Sequence, residues 1–322
     1  MAKIILFDNS RELSFLYPHF DKVIHSPLSK HLIISWIKGA WYTLRTSKKN
    51  DTIVCWYDFQ AIILFYLCRF TFQQRNIIAL NILLKYKPTL KNRIVRALYR
   101  QALLSKRFNA TVTSAEYGQR INKWLGTECH FTLLHDLFFE SYRLPNLDQI
   151  DVKPDTVFCG GSNGRDWNLI LAIAEAMPEV KFRLVITKSI LKSLNSPIPE
   201  NVSLLHDIPV LDFVKEMAQA SVVCSPLNTE APAGLLVIFR AAANDKPIIA
   251  TDTIVTREYI SSGKNGILLK NDVKAWCEAI NYLRCNQEEA RQMAVSLHSS
   301  LKCTCNEELF SSIINNLARK NN

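Results

Sequence analysis

Thr156-Val-Phe-Cys159-Gly160-Gly161-Ser162-Asn163-Gly164-Arg165-Asp166 passes from an apolar, β-forming run straight into a string of small residues. An apolar stretch with helical spacing, about Asp166 to Met177, follows it. A buried strand, a glycine-rich turn and a helix in that order make the first part of a βαβ unit, and the next β-forming run, Phe182 to Ile186, completes it. The alternation continues with Val202 to Leu205, Val222 to Cys224 and Pro247 to Ala250 as strands, and with helices near 210–219, 234–244 and 271–284. Such alternation predicts a parallel sheet with crossover helices.

Working outward, the first half carries a fainter copy of the pattern. Lys3 to Phe7 ends at the turn signal Asp8-Asn9-Ser10 and reads as a first strand, as do Asp51 to Trp56 and Ala110 to Thr113. Segments 29–45, 60–72 and 91–107 have helical spacing. The expected fold class is α/β, with two Rossmann-like domains whose parallel sheets face a central cleft, where such folds bind ligands. The predicted domains are 1–148 and 149–305, divided in Leu144 to Ile150, with a helix in 306–322 that packs back on the first domain.

The chain has 322 residues, 48% apolar and 21% charged, which excludes a disordered or collagen-like chain and leaves ample material for buried cores. The most apolar stretch, Ala61 to Cys68, is interrupted at Arg69, whereas a bilayer-spanning helix needs about 20 residues. The 9 cysteines are odd in number, several lie in apolar runs, and no cleavable signal is read, which together predict a reducing cytoplasm. Cys303-Thr-Cys305 lacks partners at zinc-ligand spacing.

Three loops carry candidate chemistry. Gly161 and Ser162 allow close backbone approach to an anion, the helix start after them favours phosphate, and Arg165 adds a fixed cation suited to a diphosphate. A plain βα turn with a surface arginine is the alternative. Lys188 follows the next strand, either directed into the same crevice or solvated at a helix start. Glu230, in Asn228-Thr-Glu230-Ala-Pro-Ala-Gly234, either binds hydroxyls or acts as a base, or caps the following helix.

The ordered set Gly161…Arg165-Asp166, Asn201-Val202, Pro226…Glu230…Gly234…Ala241, Lys246-Pro247-Ile-Ile-Ala-Thr251…Glu258 and Gly263-Lys-Asn-Gly266 resembles the donor domain of GT-B glycosyltransferases. Within that fold it is most similar to glycosyltransferase family 4, over about 155–295. The resemblance implies retaining transfer of a sugar, of hexosyl type, from a nucleotide diphosphate to a lipid-linked glycan in cell-surface polysaccharide synthesis. Arg165 and Lys188 would hold the diphosphate, and Glu230 would face the donor sugar. Gly161, Ser162, Gly234, Leu235 and Glu258 would complete the donor site. No metal or other cofactor is implied, the nucleotide sugar being a substrate. Two positions depart from the pattern. Arg240 stands where the family's ribose-binding glutamate is expected, and Asp8-Asn9-Ser10-Arg11 replaces a glycine-rich loop. The alternative is therefore a non-catalytic GT-B subunit that regulates or scaffolds another transferase.

Charge is distributed unevenly. Residues 1–150 hold 21 Lys and Arg against 10 Asp and Glu, and residues 151–322 hold 18 against 19. From Phe59 to Ala115 there are 57 residues without a carboxylate and with ten basic side chains, concentrated in 69–107. In 91–107, Ile94, Val95, Leu98 and Ala102 share one side, with Arg93, Arg96, Arg100 and Arg107 around them. The expected partners are a nucleotide sugar, a glycan or polyprenyl-diphosphate-linked acceptor, and an anionic membrane at the inner face of the plasma membrane. Nucleic acid is not expected, since no recognised binding motif is present. Asp58, after a strand, is the candidate base, followed by Asp8. His130, His135 and Asp136 read as capping or packing residues.

Overall fold

The computed structural model describes residues 2–8, 14–25, 32–84, 89–194 and 197–320. The turn at Asn9 to Arg11 and the basic residues Lys85 and Lys87 lie outside the described residues. The chain divides into two compact units, Met1–His135 with Glu307–Asn322, and Asp136–Asn306.

The first unit runs β1 (Ile4–Asp8), β2 (Lys22–His25), α1 (Leu32–Thr46), β3 (Thr52–Cys55), α2 (Asp58–Phe70), β4 (Asn76–Ala79), α3 (Leu90–Leu103), β5 (Phe108–Val112), α4 (Ala115–Leu125) and β6 (Phe131–Leu133). All strand pairs are parallel, in the order β2-β1-β3-β4-β5-β6. β3 and β4 are buried at every position, as a strand covered on both faces requires. Ser114 caps α4 by accepting from the Tyr117 N–H, and Gly126 ends it in the left-handed conformation at φ 62°. α1 packs on α2, α2 on α3, and α3 on α4.

The second unit runs β7 (Lys153–Gly160), α5 (Trp167–Ala176), β8 (Lys181–Ile186), α6 (Lys188–Leu191), β9 (Val202–His206), α7 (Val210–Gln219), β10 (Ala220–Ser225), α8 (Leu235–Ala243), β11 (Ile248–Thr251), β12 (Ile267–Leu269), α9 (Val273–Cys285) and α10 (Gln287–Thr304). Its parallel order is β12-β11-β10-β7-β8-β9. The chain steps outward from β7 to β9, then returns to place β10 on the other side of β7. The carboxyl ends of β7 and β10 therefore flank the point where strand order reverses, where open α/β sheets bind ligands. In the first unit the corresponding point lies between β1 and β3.

The units divide after His135 rather than within Leu144 to Ile150. The reason is a strap of hydrogen bonds that ties 136–150 to the second unit. The Phe138 N–H donates to the Cys305 carbonyl at 2.8 Å, and the Leu144 N–H to Asn244 Oδ1 at 2.8 Å. Arg143 pairs with Asp245 at 2.8 Å. The last helix, α11 (Glu307–Lys320), belongs to the first unit, where it packs on β4 and Glu307 meets His19 at 3.0 Å.

The segment expected as a helix over 91–107 forms α3, with a burial pattern that its apolar residues alone do not suggest. Tyr99, Ala102 and Leu103 are buried, while Ile94 and Leu98 are exposed. The Tyr99 ring fills the inner position because its hydroxyl finds Asp58 there.

Candidate functional site

The loops after β7 and β10 are stitched together by backbone. Arg165 and Leu227 form an antiparallel bridge, the Asp166 N–H donates to the Pro226 carbonyl at 3.0 Å, and the Asn228 N–H to the Gly164 carbonyl at 2.9 Å. Thr251 at the end of β11 extends the seam. Its hydroxyl accepts from the Leu227 N–H at 2.7 Å and donates to Asn271 Oδ1 at 2.7 Å. Asn271 in turn donates to Asp166 Oδ2 at 3.0 Å and to the Leu227 carbonyl at 2.8 Å. Asp166 spends its other oxygen on the N–H of Leu169, capping α5. The carboxylate next in sequence to Arg165 is thus committed elsewhere.

Arg165 is no surface arginine. It is 4% exposed, and Nη1 donates to the Ser225 hydroxyl at 2.5 Å and to the Pro226 carbonyl at 3.5 Å. Its Nε has no partner, and no carboxylate lies within ion-pair reach among the described residues. Burial lowers its pKa, opposed by the neighbouring thiols of Cys159 and Cys224. Those thiols are themselves raised by burial, Cys159 to about 12, so they carry no compensating charge at neutral pH. A buried guanidinium without a counter-ion is costly unless an anion completes it.

Two glycines make room for that guanidinium. A Cβ on Gly161 (φ 119°) would stand 2.9 Å from Arg165 Nη2. A Cβ on Gly234 (φ 77°) would stand 3.1 Å from Ser225 Oγ and 3.6 Å from Arg165 Nη1. Gly234 also opens α8 with no side-chain cap, which leaves its first amides for another acceptor. Leu235 behind it is buried at 6%, and Ser162 on the facing loop is exposed.

The remaining expected residues divide. Lys188 is exposed at the start of α6, its N–H on Asp207 Oδ1 at 3.4 Å, while the Thr187 hydroxyl caps the helix. Glu230 is exposed and does not cap α8. Its Oε2 accepts from the Ile254 N–H at 3.2 Å, joining the β10 loop to the segment that carries Glu258. Glu258 is half-buried in a short 3-10 turn, Thr256–Glu258, anchored by the buried Thr256 hydroxyl on the Thr251 carbonyl. Arg240 does not lie in the seam's hydrogen bonds. It stacks over Phe213 at 5.4 Å and Tyr142 at 6.0 Å, and burial lowers its pKa.

In the first unit, Asp8 and Asp58 stand at the carboxyl ends of β1 and β3 and are both buried. Asp8 accepts from the Tyr17 hydroxyl at 3.0 Å. Asp58 accepts from the N–H groups of Phe59 and Leu83 at 2.7 and 3.0 Å and from Tyr99. Burial raises its pKa, as suits a proton acceptor, yet these bonds also make it the anchor of the segment after β4. His130 is exposed, and the Asp136 N–H donates to the Tyr259 hydroxyl at 3.3 Å.

Sequence reading missed Ser225, Thr251 and Asn271 as positioning residues. Each is a small polar group at the carboxyl end of a strand, and that placement is the signal it offered.

Residues 153–286 match the model of the family described as glycosyl transferases group 1. The resemblance read from the sequence therefore holds in the second unit. No curated protein matches the chain in a sequence comparison. Among solved structures, HepE of Anabaena in complex with UDP-glucose is 13% identical, with 98% of each chain covered and a TM-score of 0.74. Sucrose-phosphate synthase of Thermosynechococcus elongatus is 13% identical over 99% of each chain, with a TM-score of 0.78. WaaG, a glycosyltransferase involved in lipopolysaccharide biosynthesis, is 13% identical over 98% of each chain, with a TM-score of 0.67. The chain has the GT-B glycosyltransferase fold.

Proposed function

We propose that the chain is a nucleotide-sugar-dependent glycosyltransferase whose donor diphosphate binds at the β7/β10 switch point. The observation that carries this is Arg165, a buried guanidinium with no carboxylate in ion-pair reach among the described residues, beneath an uncapped helix start. Transfer places negative charge on the departing diphosphate, and preorganised cations and amides stabilise such charge strongly. Arg165, Lys188 and the α8 amides supply that stabilisation in this reading, with no metal required. Gly161, Ser162, Gly234 and Leu235 shape the diphosphate site, and Glu230 and Glu258 face the sugar and ribose. The group-1 match over 153–286 and the likeness to HepE, solved with UDP-glucose, support the reading.

The finer proposal is retaining transfer of a hexose to a lipid-linked glycan of the cell surface, at the cytoplasmic face of a membrane. No helix among the described residues is long and apolar enough to cross a membrane, so a lipid-linked acceptor would be met at the surface. Incubation with a panel of nucleotide sugars and a membrane-extracted acceptor tests it by the nucleoside diphosphate released.

Arg240 favours a second reading, a GT-B subunit that scaffolds another transferase. Its guanidinium lies on two aromatic rings where a ribose acceptor is expected, and a guanidinium accepts no hydrogen bond. Release of nucleoside diphosphate that is abolished by Arg165→Ala excludes it.

A further inference from the structure

We propose that the outer surface of the α1–α2–α3 layer is a lipid-docking face, with apolar rows of α1 and α3 entering an anionic bilayer. This names the surface by which the proposed enzyme meets its membrane, and it stands or falls independently of the donor site.

α1 exposes Ile33, Ile37 and Trp41, spaced by single helical turns, at 63%, 48% and 42%. α3 exposes Leu90, Ile94 and Leu98 in the same spacing, at 73%, 57% and 37%. The two rows are joined across α2. Trp36 stacks on Phe59 with centroids 6.2 Å apart, and Phe59 meets Tyr99 edge-on at 5.8 Å. Phe59 is itself 45% exposed. An apolar surface spread over three packed helices exceeds the isolated apolar residues of an ordinary surface.

The charge around it selects the partner. Between Lys22 and Ala115 the only carboxylates are Asp51 and Asp58. Both are buried, at 3% and 9%. Asp51 accepts from the N–H groups of Lys3 and Lys48, and Asp58 anchors Leu83 and Phe59. The described part of this layer therefore presents no exposed carboxylate. It does present Lys38, Arg45, Arg69, Arg93, Arg100 and Lys106 to solvent. The Arg45 guanidinium lies 5.1 Å from the Trp41 ring, the pairing of an interfacial indole with a cation that reaches headgroup phosphates.

Apolar rows bordered by cations suit acyl chains and anionic headgroups together. A second copy of the same face is disfavoured by like charge. RNA is the poorer match, because five of the six row residues are aliphatic and offer bases no stacking face.

The test is flotation of the full chain with vesicles of equal parts phosphatidylglycerol and phosphatidylcholine, and with phosphatidylcholine alone. Nucleoside diphosphate binding in the same preparations shows separately whether the donor-site reading holds. The wild type floats with the anionic vesicles only. Ile37→Glu with Ile94→Glu lowers partitioning about tenfold or more. Lys38→Glu with Arg45→Glu lowers it by about fivefold or more per charge removed. Both variants keep the circular dichroism and nucleotide binding of the wild type, since all four positions are exposed. Equal flotation with neutral vesicles overturns the proposal. So does full flotation of the Ile37/Ile94 variant, or a gel shift with RNA in a chain that does not bind vesicles.

Discussion

Arg165 Nη1 donates to Ser225 Oγ at 2.5 Å, so a guanidinium from the loop after β7 is held by a neutral hydroxyl at the end of β10. The two strands are adjacent, with Cys159 opposite Cys224, the residue just before Ser225. A neutral partner fixes the position of a cation without cancelling its charge. That distinguishes Arg165 from Arg183, whose guanidinium is closed by Glu216 at 2.7 and 2.8 Å. Arg75 also has only neutral partners, but its Nε, Nη1 and Nη2 all find acceptors, whereas Arg165 Nε has none.

Holding an uncompensated charge in the interior is a cost that folding alone would avoid. Arg165→Met is expected to be neutral or to stabilise the chain by about 1 kcal/mol, because an apolar side chain of similar length needs no counter-ion. Urea unfolding measures this.

Gly234 adopts φ 77° beside Ser225. Gly234→Ala forces a Cβ into the left-handed region and against the hydroxyl that holds Arg165. The expected cost is about 1–2 kcal/mol of stability, with a larger proportional loss of nucleoside diphosphate affinity. Thermal denaturation with and without nucleotide separates the two effects.

Lys246 is 6% exposed, donates to the Ala220 carbonyl at 3.1 Å, and is pushed down to about 8 by burial. The unfolded chain keeps that proton to about pH 10.4. Between these values the unfolded state binds more protons than the folded one, so this residue makes stability rise with pH from about 8 to about 10.4. Lys246→Met removes that contribution, which urea midpoints at pH 7.5 and 9.5 reveal as a flatter profile.

Asp58 serves as anchor, base or both. An asparagine has one acceptor oxygen for the two N–H groups that Asp58 satisfies. Asp58→Asn is expected to destabilise the first unit by about 1–3 kcal/mol. Loss of turnover at an unchanged melting temperature would instead assign it to proton transfer.

Arg240→Glu restores an acceptor where the family resemblance expects one and removes the contacts over Tyr142 and Phe213. The expected result is tighter binding of nucleoside diphosphate, no change for inorganic pyrophosphate, and a loss of about 1 kcal/mol of stability. Calorimetry with both ligands checks this.

The sequence made the second unit legible because its strands are continuous apolar runs ended by small residues, as at Cys159-Gly160-Gly161 and Cys224-Ser225-Pro226. β2, β4 and β6 escaped for want of a boundary rather than of length alone, since β3 and β11 are equally short and legible. β2 has only two apolar residues, and the apolar runs of β4 and β6 continue past the strand ends into Leu80 and Leu134. Arg165 was legible as a cation after a strand. Its burial was not, since that depends on Ser225, sixty positions away, and on Asp166 turning to Asn271. The acid-free run was visible from Phe59. Its extension through α1 was hidden by Asp51 and Asp58, which count as charges in the sequence and are withdrawn from the surface in the fold.

Calorimetric titration of the wild type and Arg165→Met with a panel of nucleoside diphosphates tests the central claim most directly. At least one nucleoside diphosphate is expected to bind the wild type, and Arg165→Met to weaken it by about a hundredfold, as expected for loss of a charge-assisted contact in a buried site. Binding of none of them, or equal binding to both proteins, would contradict the claim.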